Sequence, residues 1–328
     1  MEATSTADRD TTIDPAIEVD GLTKTFGSSD DSVVAVEDVS FTIHPGSVVG
    51  VLGPNGAGKT TTIKSILGLI RPDKGTVYID GVNIAERPQE AFSRVDAMLE
   101  GARNDYWRLT IRENLRYFAT IGGDNPDVVA DRHDRLLNKL DLAEKADEPV
   151  RDLSRGMKQK VSLASVLASD VSVAFLDEPT LGLDIESSLT LRQELGRIVE
   201  DRGLTVVLSS HDMDVIEDVC DRVIIMNDGQ IIVDNEVEEL LEKVETQRYR
   251  ITVREASQKA MSTLDGRYQI TNCERFDKRT RFELTATNEI FYQLTRDLEQ
   301  ADLTLDTIET IQPDLEEIFL EITEEDTS

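Results

Sequence analysis

The sequence predicts an α/β protein with a mostly parallel sheet, followed by a smaller α+β unit. Short apolar runs such as Ser47–Leu52, Val171–Leu176 and Val223–Met226 have the length of buried strands. Helical patterns separate these runs, and alternating strands and helices imply parallel pairing. The length of 328 residues suits one large domain plus a smaller one.

Residues 17–26 alternate apolar and polar and read as a strand. A polar hairpin loop over Gly27–Ser32 follows, then strand character over Val33–Ile43, a Pro45-Gly46 turn and the strand ending at Leu52. A helix begins near Lys59 and ends before Arg71-Pro72, and Thr76–Ile79 forms another strand. Residues 111–145 are largely helical, with Leu115, Phe118, Ala119, Leu136, Leu137 and Leu140 at steps of three and four. Next come a helix from Arg155, the strand Val171–Leu176, a helix Ser187–Glu200 and a strand Thr205–Ser209. A helix Asp214–Cys220 and strands Arg222–Met226 and Gln230–Asp234 complete the large domain, which spans 16–245 with a helical subdomain at about 100–165. Residues 1–15 read as a disordered polar tail.

The second region, 246–328, begins with the strand Tyr249–Val253, the helix Ala256–Leu264 and the strand Tyr268–Phe276. The strand Arg281–Thr287, the helix Glu289–Glu299 and the strand Leu303–Ile311 follow. This is the β-α-β-β-α-β order of ferredoxin-like domains. A closing helix covers Asp314–Glu321.

Composition narrows the function classes. The chain carries 65 acidic and 35 basic residues, a net charge of −30. Nucleic acid is therefore not expected as a partner, because its phosphates would be repelled. Residues 1–15 hold no apolar block, and no run approaches the roughly 20 apolar residues needed to cross a bilayer. Membrane work would need a separate partner chain. Cys220 and Cys273 form no metal or redox spacing and read as reduced core thiols in a reducing cytosol. The three histidines are too scattered for a metal cluster.

The residues Gly53–Thr60 read GPNGAGKT, a complete phosphate-binding loop that follows an apolar strand and opens a helix. Backbone N–H groups of Gly53, Pro54, Asn55, Gly56, Ala57 and Gly58 (proline excepted) can wrap a polyphosphate, aided by the helix N-terminus. Lys59 is expected to reach the β- and γ-phosphates, Thr60 to place its hydroxyl on Mg²⁺, and Thr61 to support the α-phosphate. The apolar run ending at Leu176 leads into Asp177-Glu178-Pro179. Strand C-terminal ends are where ligands bind in such sheets. Asp177 is expected to hold Mg²⁺ through water, and Glu178 to polarise the attacking water as general base. These two motifs indicate a P-loop NTPase that binds ATP and Mg²⁺.

Further segments narrow the family. Leu153–Gln159 reads LSRGMKQ, Gly182-Leu183-Asp184 follows Glu178, and Ser210-His211-Asp212 follows the next strand. In this order they resemble the ABC ATPases, with their Walker A, signature, Walker B, D-loop and switch histidine. The resemblance covers about residues 17–240. It implies an ABC-type nucleotide-binding domain with an antiparallel β subdomain and a helical subdomain. It also implies a homodimer or pseudo-dimer, stacked head to tail with two ATPs between the subunits. Carried over, Ser154 and Gly156 would contact the opposite γ-phosphate, His211 the γ-phosphate and the water near Glu178, and Asp184 would cross the interface. Phe26 occupies the place of an aromatic that stacks on adenine; the other reading is a core residue at a strand end.

Two departures stand out. Arg155 and Met157 replace the Gly and Gln of the family's usual LSGGQ, and Arg155 reads either as an added interface charge or as a solvated side chain. The family's Q-loop glutamine corresponds to Glu100, whose carboxylate can still bind Mg²⁺ or water; the other reading is a plain loop acid. The Tyr106-Trp107 segment lies where the family docks its membrane subunit, with core packing as the other reading of Trp107. The closing PDLEEIFLEIT resembles ATPases that serve exporter-type permeases for drugs, lipids or polysaccharides.

The expected protein is thus the ATP-hydrolysing subunit of an exporter. It would sit in the cytoplasm, peripheral on the inner face of the membrane, through an integral-membrane permease encoded separately. A non-transport ABC ATPase acting on ribosomes or DNA is disfavoured by the single ATPase unit and the absence of a basic patch. A regulator without turnover is disfavoured by intact Lys59, Asp177, Glu178 and His211. The acidic excess, with 11 Lys against 24 Arg, resembles proteins of salt-loving organisms, and a halophilic archaeal origin is expected.

Overall fold

The structure, a computed structural model, describes residues 14–27, 31–99, 105–242, 247–254, 258–301, 303–311, 315–316 and 318–319. The chain divides into two compact units, Met1–Glu236 and Val237–Ser328.

The first unit opens with β1 (Ile17–Phe26), β2 (Val33–Ile43), β3 (Val48–Leu52), α1 (Lys59–Ile66), β4 (Lys74–Ile79), β5 (Val82–Asn83), α2 (Pro88–Phe92) and β6 (Val95–Met98). Three helices follow: α3 (Ile111–Gly122), α4 (Ala130–Lys139) and α5 (Arg155–Ala168). It closes with β7 (Val173–Asp177), α6 (Ile185–Arg202), β8 (Thr205–Ser209), α7 (Met213–Val219), β9 (Arg222–Asn227) and β10 (Gln230–Glu236).

Two sheets organise this unit. A six-stranded sheet has the order β10-β9-β3-β8-β7-β6, parallel except for β10 at its edge. Its strands β3 and β8 are buried along their whole length, as expected where both faces are covered. A four-stranded antiparallel sheet has the order β2-β1-β4-β5, and the start of β1 alternates buried and exposed residues. One apolar cluster holds residues of both sheets and of α1, among them Ile17, Leu22, Val49, Ile63, Phe175 and Ile224. The helix carrying the phosphate loop is thereby seated on a rigid base. Helices α3, α4 and α5 pack on one another. A capping box starts α3: Thr110 accepts from the Glu113 N–H and donates its own N–H to the Glu113 carboxylate.

The second unit comprises α8 (Val237–Glu242), β11 (Gln247–Arg254), α9 (Gln258–Tyr268), β12 (Thr271–Phe276), β13 (Arg279–Ala286), α10 (Asn288–Gln300) and β14 (Thr304–Ile311). Its antiparallel sheet has the order β12-β13-β11-β14. Strand β13 thus lies between β11 and β12, the split arrangement of ferredoxin-like domains. Its core is formed by residues such as Tyr249, Ile251, Phe282, Leu284 and Leu294.

Several expectations shift. The compact units part at Glu236 and Val237, earlier than residue 246, because α8 clusters with the second unit. Tyr268 ends α9 instead of opening a strand. The short elements β5, α2 and β6 are additions that offered too few residues for a period to show. Cys220 is buried, but Cys273 is exposed on β12, so only one thiol belongs to the core. Most of the N-terminal tail, part of the Gly27–Ser32 loop, Glu100 and much of the Asp314–Glu321 segment lie outside the described residues.

Candidate active site

Strands β3, β8 and β7 lie side by side and parallel, with Val51 opposite Ser209 and Ser209 opposite Asp177. Their C-terminal ends therefore meet at one edge. The sheet brings together segments far apart in sequence: the loop after Leu52, the Asp177-Glu178 pair and His211.

The loop of residues 53–58 turns directly into α1. Gly53 and Gly58 adopt φ of +148° and +100°, backbone conformations that L side chains rarely enter. A Cβ at Gly53 would lie 2.2 Å from the Met226 carbonyl oxygen, and one at Gly58 2.5 Å from that of Ala35. Neither position can accept a side chain without moving neighbouring backbone. No side chain caps the N-terminus of α1, which leaves its first N–H groups for an anion. Pro54, Asn55, Gly56 and Thr60 are exposed, Ala57 is buried against the core, and Thr61 is half-buried. The Lys59 ammonium donates to the carbonyls of Gly53 and Pro54, at 2.5 and 3.1 Å. Burial lowers its pKa from the ordinary lysine value, and the nearby charges of Glu178 and Asp177 oppose that shift.

Asp177 is the last residue of β7 and accepts a short hydrogen bond from the Ser209 hydroxyl. Glu178 follows in the left-handed region with φ of +52°, which costs a non-glycine residue roughly 1–3 kcal/mol. Two hydrogen bonds hold it there. Its N–H donates to the Ser209 carbonyl at 3.0 Å, and its carbonyl accepts from Gln159 Nε2 at 2.8 Å. Gln159 also donates to the Pro179 carbonyl at 3.2 Å. The twisted backbone presents the Glu178 carboxylate to His211, whose Nδ1 lies 2.8 Å from Glu178 Oε2. Among the described residues no group of three His, Cys, Asp or Glu could hold a metal. The Thr60 hydroxyl and Asp177 carboxylate at this edge are hard oxygen donors of the type that Mg²⁺ takes when phosphate and water complete its shell.

A second group of residues gathers around the start of α5. Ser154 is its N-cap and accepts from the Met157 N–H at 3.2 Å. A Cβ added to Gly156 would lie 3.2 Å from Leu183 Cδ2, and one added to Gly182 2.7 Å from Arg155 Nε. Arg155 is exposed, and its side chain lies along the turn that follows Glu178. Asp184 caps α6 by accepting from the Ser187 N–H at 2.8 Å, a bond that holds its carboxyl below the usual carboxylate range. Among the described residues no hydrogen bond or ion pair joins Ser154 or Asp184 to Lys59 or Glu178.

Phe26 is 42% exposed at the end of β1, with Lys24 Nζ 5.5 Å from its ring centroid, so it is not a core residue. Tyr106 and Trp107 are each 47% exposed, which overturns core packing for Trp107. The Arg108 guanidinium stacks 4.6 Å from the Trp107 ring, and Tyr106 meets Tyr117 edge-on at 4.5 Å.

The protein-family model for ABC transporters matches residues 36–181. An uncharacterized ABC transporter ATP-binding protein, YhcH of Bacillus subtilis, is 32% identical over 291 residues, 88% of this chain and 91% of that protein. The chain belongs to the ABC transporter ATP-binding proteins. Similarity extends to a Nod factor export ATP-binding protein I of Burkholderia lata, 36% identical over 69% of this chain and 72% of that protein. It also extends to a methionine import ATP-binding protein of Oceanobacillus iheyensis, 33% identical over 66% of this chain and 64% of that protein. A dimeric ATP-binding cassette in a post-hydrolysis state, bound to ADP and Pi, superposes with a TM-score of 0.60 at 26% identity, covering 67% of this chain and 98% of that one. This ABC ATP-binding subunit is an ATPase. Among its described residues no helix is long and apolar enough to cross a membrane.

Ser209 and Gln159 are the site residues that sequence reasoning missed. Ser209 was legible only as the end of a strand. Gln159 acts across 19 positions of sequence, and no local pattern points to that contact.

Proposed function

We propose that two copies of this subunit close around ATP, that closure drives a separately encoded membrane permease of exporter type, and that hydrolysis reopens the pair. The single observation that carries the hydrolytic reading is the convergence of Lys59, Asp177, Glu178 and His211 at one sheet edge. Gly53 to Gly58 and the start of α1 cradle the phosphates, and Lys59 turns from its own loop carbonyls to the β- and γ-phosphates. Thr60 and Asp177 would hold Mg²⁺, which when bound neutralises phosphate charge. Glu178 takes the proton of the attacking water, and His211 orients Glu178 and the γ-phosphate. Phe26 stacks on adenine. Ser154, which caps α5, Gly156 beside it, and Asp184, which caps α6, would act across a dimer interface. Glu100 lies in the segment expected to sense nucleotide.

The exposed Tyr106-Trp107 pair supports permease docking, which would place the subunit peripherally on the inner face of the membrane. The closing sequence PDLEEIFLEIT and the Nod factor export relative support export. The net charge of −30 supports a salt-rich cytosol, as in halophilic archaea.

Glu178→Gln tests the chemistry. Turnover is expected to fall by about 10²–10⁴, the usual contribution of a positioned acid or base, while ATP binding persists. Wild-type phosphate release from that variant would refute the assignment. Co-purification with a membrane protein, followed by transport assays in inside-out vesicles, tests the exporter reading: ATP-driven uptake into such vesicles is expected, and efflux would overturn it.

A further inference from the structure

Arg192 lies in the middle of α6, with its side chain only 10% exposed. Its guanidinium faces three carboxylates of the segment that follows β8. Nη2 donates to Asp212 at 3.1 Å, Nη1 donates to Asp218 at 2.9 Å, and Asp214 lies 4.0 Å away. Nε is buried and has no partner among the described residues. A buried cation is costly to desolvate, and only its partners offset that cost. One nearly buried cation therefore binds together three carboxylates that would otherwise repel across α7 and its N-cap.

Asp212 directly follows His211. Its N–H donates to the Ser210 hydroxyl at 3.1 Å, so the Ser210–Asp212 turn is held on both sides of the histidine. On its other side, His211 reaches Glu178 at 2.8 Å. The helix that carries Arg192 is itself capped by Asp184, eight residues earlier, about 12 Å along the axis at 1.5 Å per residue. A closed ring results: Glu178, His211, Asp212, Arg192, the first turns of α6, Asp184 and the short turn back to Glu178.

We infer that Arg192 is a positioning residue for hydrolysis: it holds His211 against Glu178 and couples the location of His211 to the N-terminal turn of α6. The planar guanidinium suits this role, because two separate N–H groups fix Asp212 and Asp218 at set angles, which an ammonium cannot match. A displacement of Asp184 reaches His211 through a rigid helix and one half-buried ion pair. The inference rests on His211 and Glu178 acting in hydrolysis as proposed above.

A double-mutant cycle on full-length protein tests it, with steady-state ATP hydrolysis followed across a range of ATP concentrations. Arg192→Met is expected to lower kcat about tenfold to a hundredfold, the scale of a misplacement near 1 Å, with KM for ATP within about twofold of wild type. Arg192→Lys is expected to recover only part of the loss. In a His211→Ala background, Arg192→Met is expected to change kcat by less than about twofold, because its action passes through the histidine. A loss as large in that background as in wild type, or an unchanged kcat in Arg192→Met alone, overturns the inference. Should Arg192→Met fail to fold by circular dichroism, Asp212→Asn takes its place in the same cycle. It keeps the size of the side chain and removes only the charge that Arg192 grips. A wild-type rate for His211→Ala alone would instead refute the role of the histidine itself.

Discussion

At the scale of single residues, the site depends on backbone that is held in a costly shape. Glu178 stands in the left-handed region, and the Gln159 amide and Ser209 carbonyl keep it there. Gln159→Ala removes a donor from two carbonyls and leaves every phosphate-loop residue in place. Turnover is expected to fall about tenfold to a hundredfold, with ATP affinity unchanged, because the proposed base loses its orientation while the proposed phosphate loop does not. Nucleotide titration alongside steady-state rates checks this, and weakened ATP binding would contradict it. Arg155 teaches a related lesson. Its exposed side chain lies along the turn after Glu178, beside Gly182, and is compatible with both readings of its sequence position, an interface charge and a solvated side chain.

At the scale of elements, α4 carries the most direct consequence for pH. His133 is 2% exposed on that helix. Burial, with the charge of Arg132 beside it, lowers its pKa from the ordinary histidine value of 6.5. The folded state therefore keeps the neutral ring to lower pH than the unfolded chain, which takes up a proton as pH falls below 6.5. Stability from this residue is present above that value and is lost toward acid, at up to about 1.4 kcal/mol per pH unit. Denaturant melts at a series of pH values between neutrality and mild acid should show wild type losing more stability than His133→Leu. Parallel losses in the two proteins would show that the helix tolerates a charged ring.

For the whole molecule, the two compact units make a deletion informative. All residues proposed to bind or hydrolyse ATP lie in the first unit. Removing residues 237–328 is expected to leave a folded ATPase in which the proposed dimer control or coupling to a permease changes. A folded fragment that binds no ATP would refute that separation. The charge of −30 leads to a second expectation. The Debye length falls from about 10 Å at 0.1 M salt to about 3 Å at 1 M, so molar KCl removes most repulsion between neighbouring carboxylates. The proposed dimer closure would bring two acidic bodies together and would gain more than folding of one. ATPase rate and melting temperature are both expected to rise across that range. A flat or falling response in both would defeat adaptation to salt and leave the family assignment untouched.

Much of the architecture was legible because it is written in local chemistry. The apolar runs ending at Leu52, Leu176 and Ser209 marked the central strands, and the glycine loop, the paired carboxylates and the histidine each follow such a strand. A strand followed by a loop or a carboxylate pair is a short-range signal, and the sequence by itself determined the ATPase assignment, the place of the glycine loop and the order of the longer elements, while β5, α2, β6 and α8 were too short to read. Only the tertiary structure decided what depends on contacts between distant segments: that Gln159 holds the Glu178 backbone, that Ser209 bonds Asp177, that Phe26 and Trp107 are exposed, and that Arg192 grips the turn carrying His211. Such contacts join residues that share no period and no motif. Their energy comes from the sheet and helices that bring them together, and it exists only once the chain has folded.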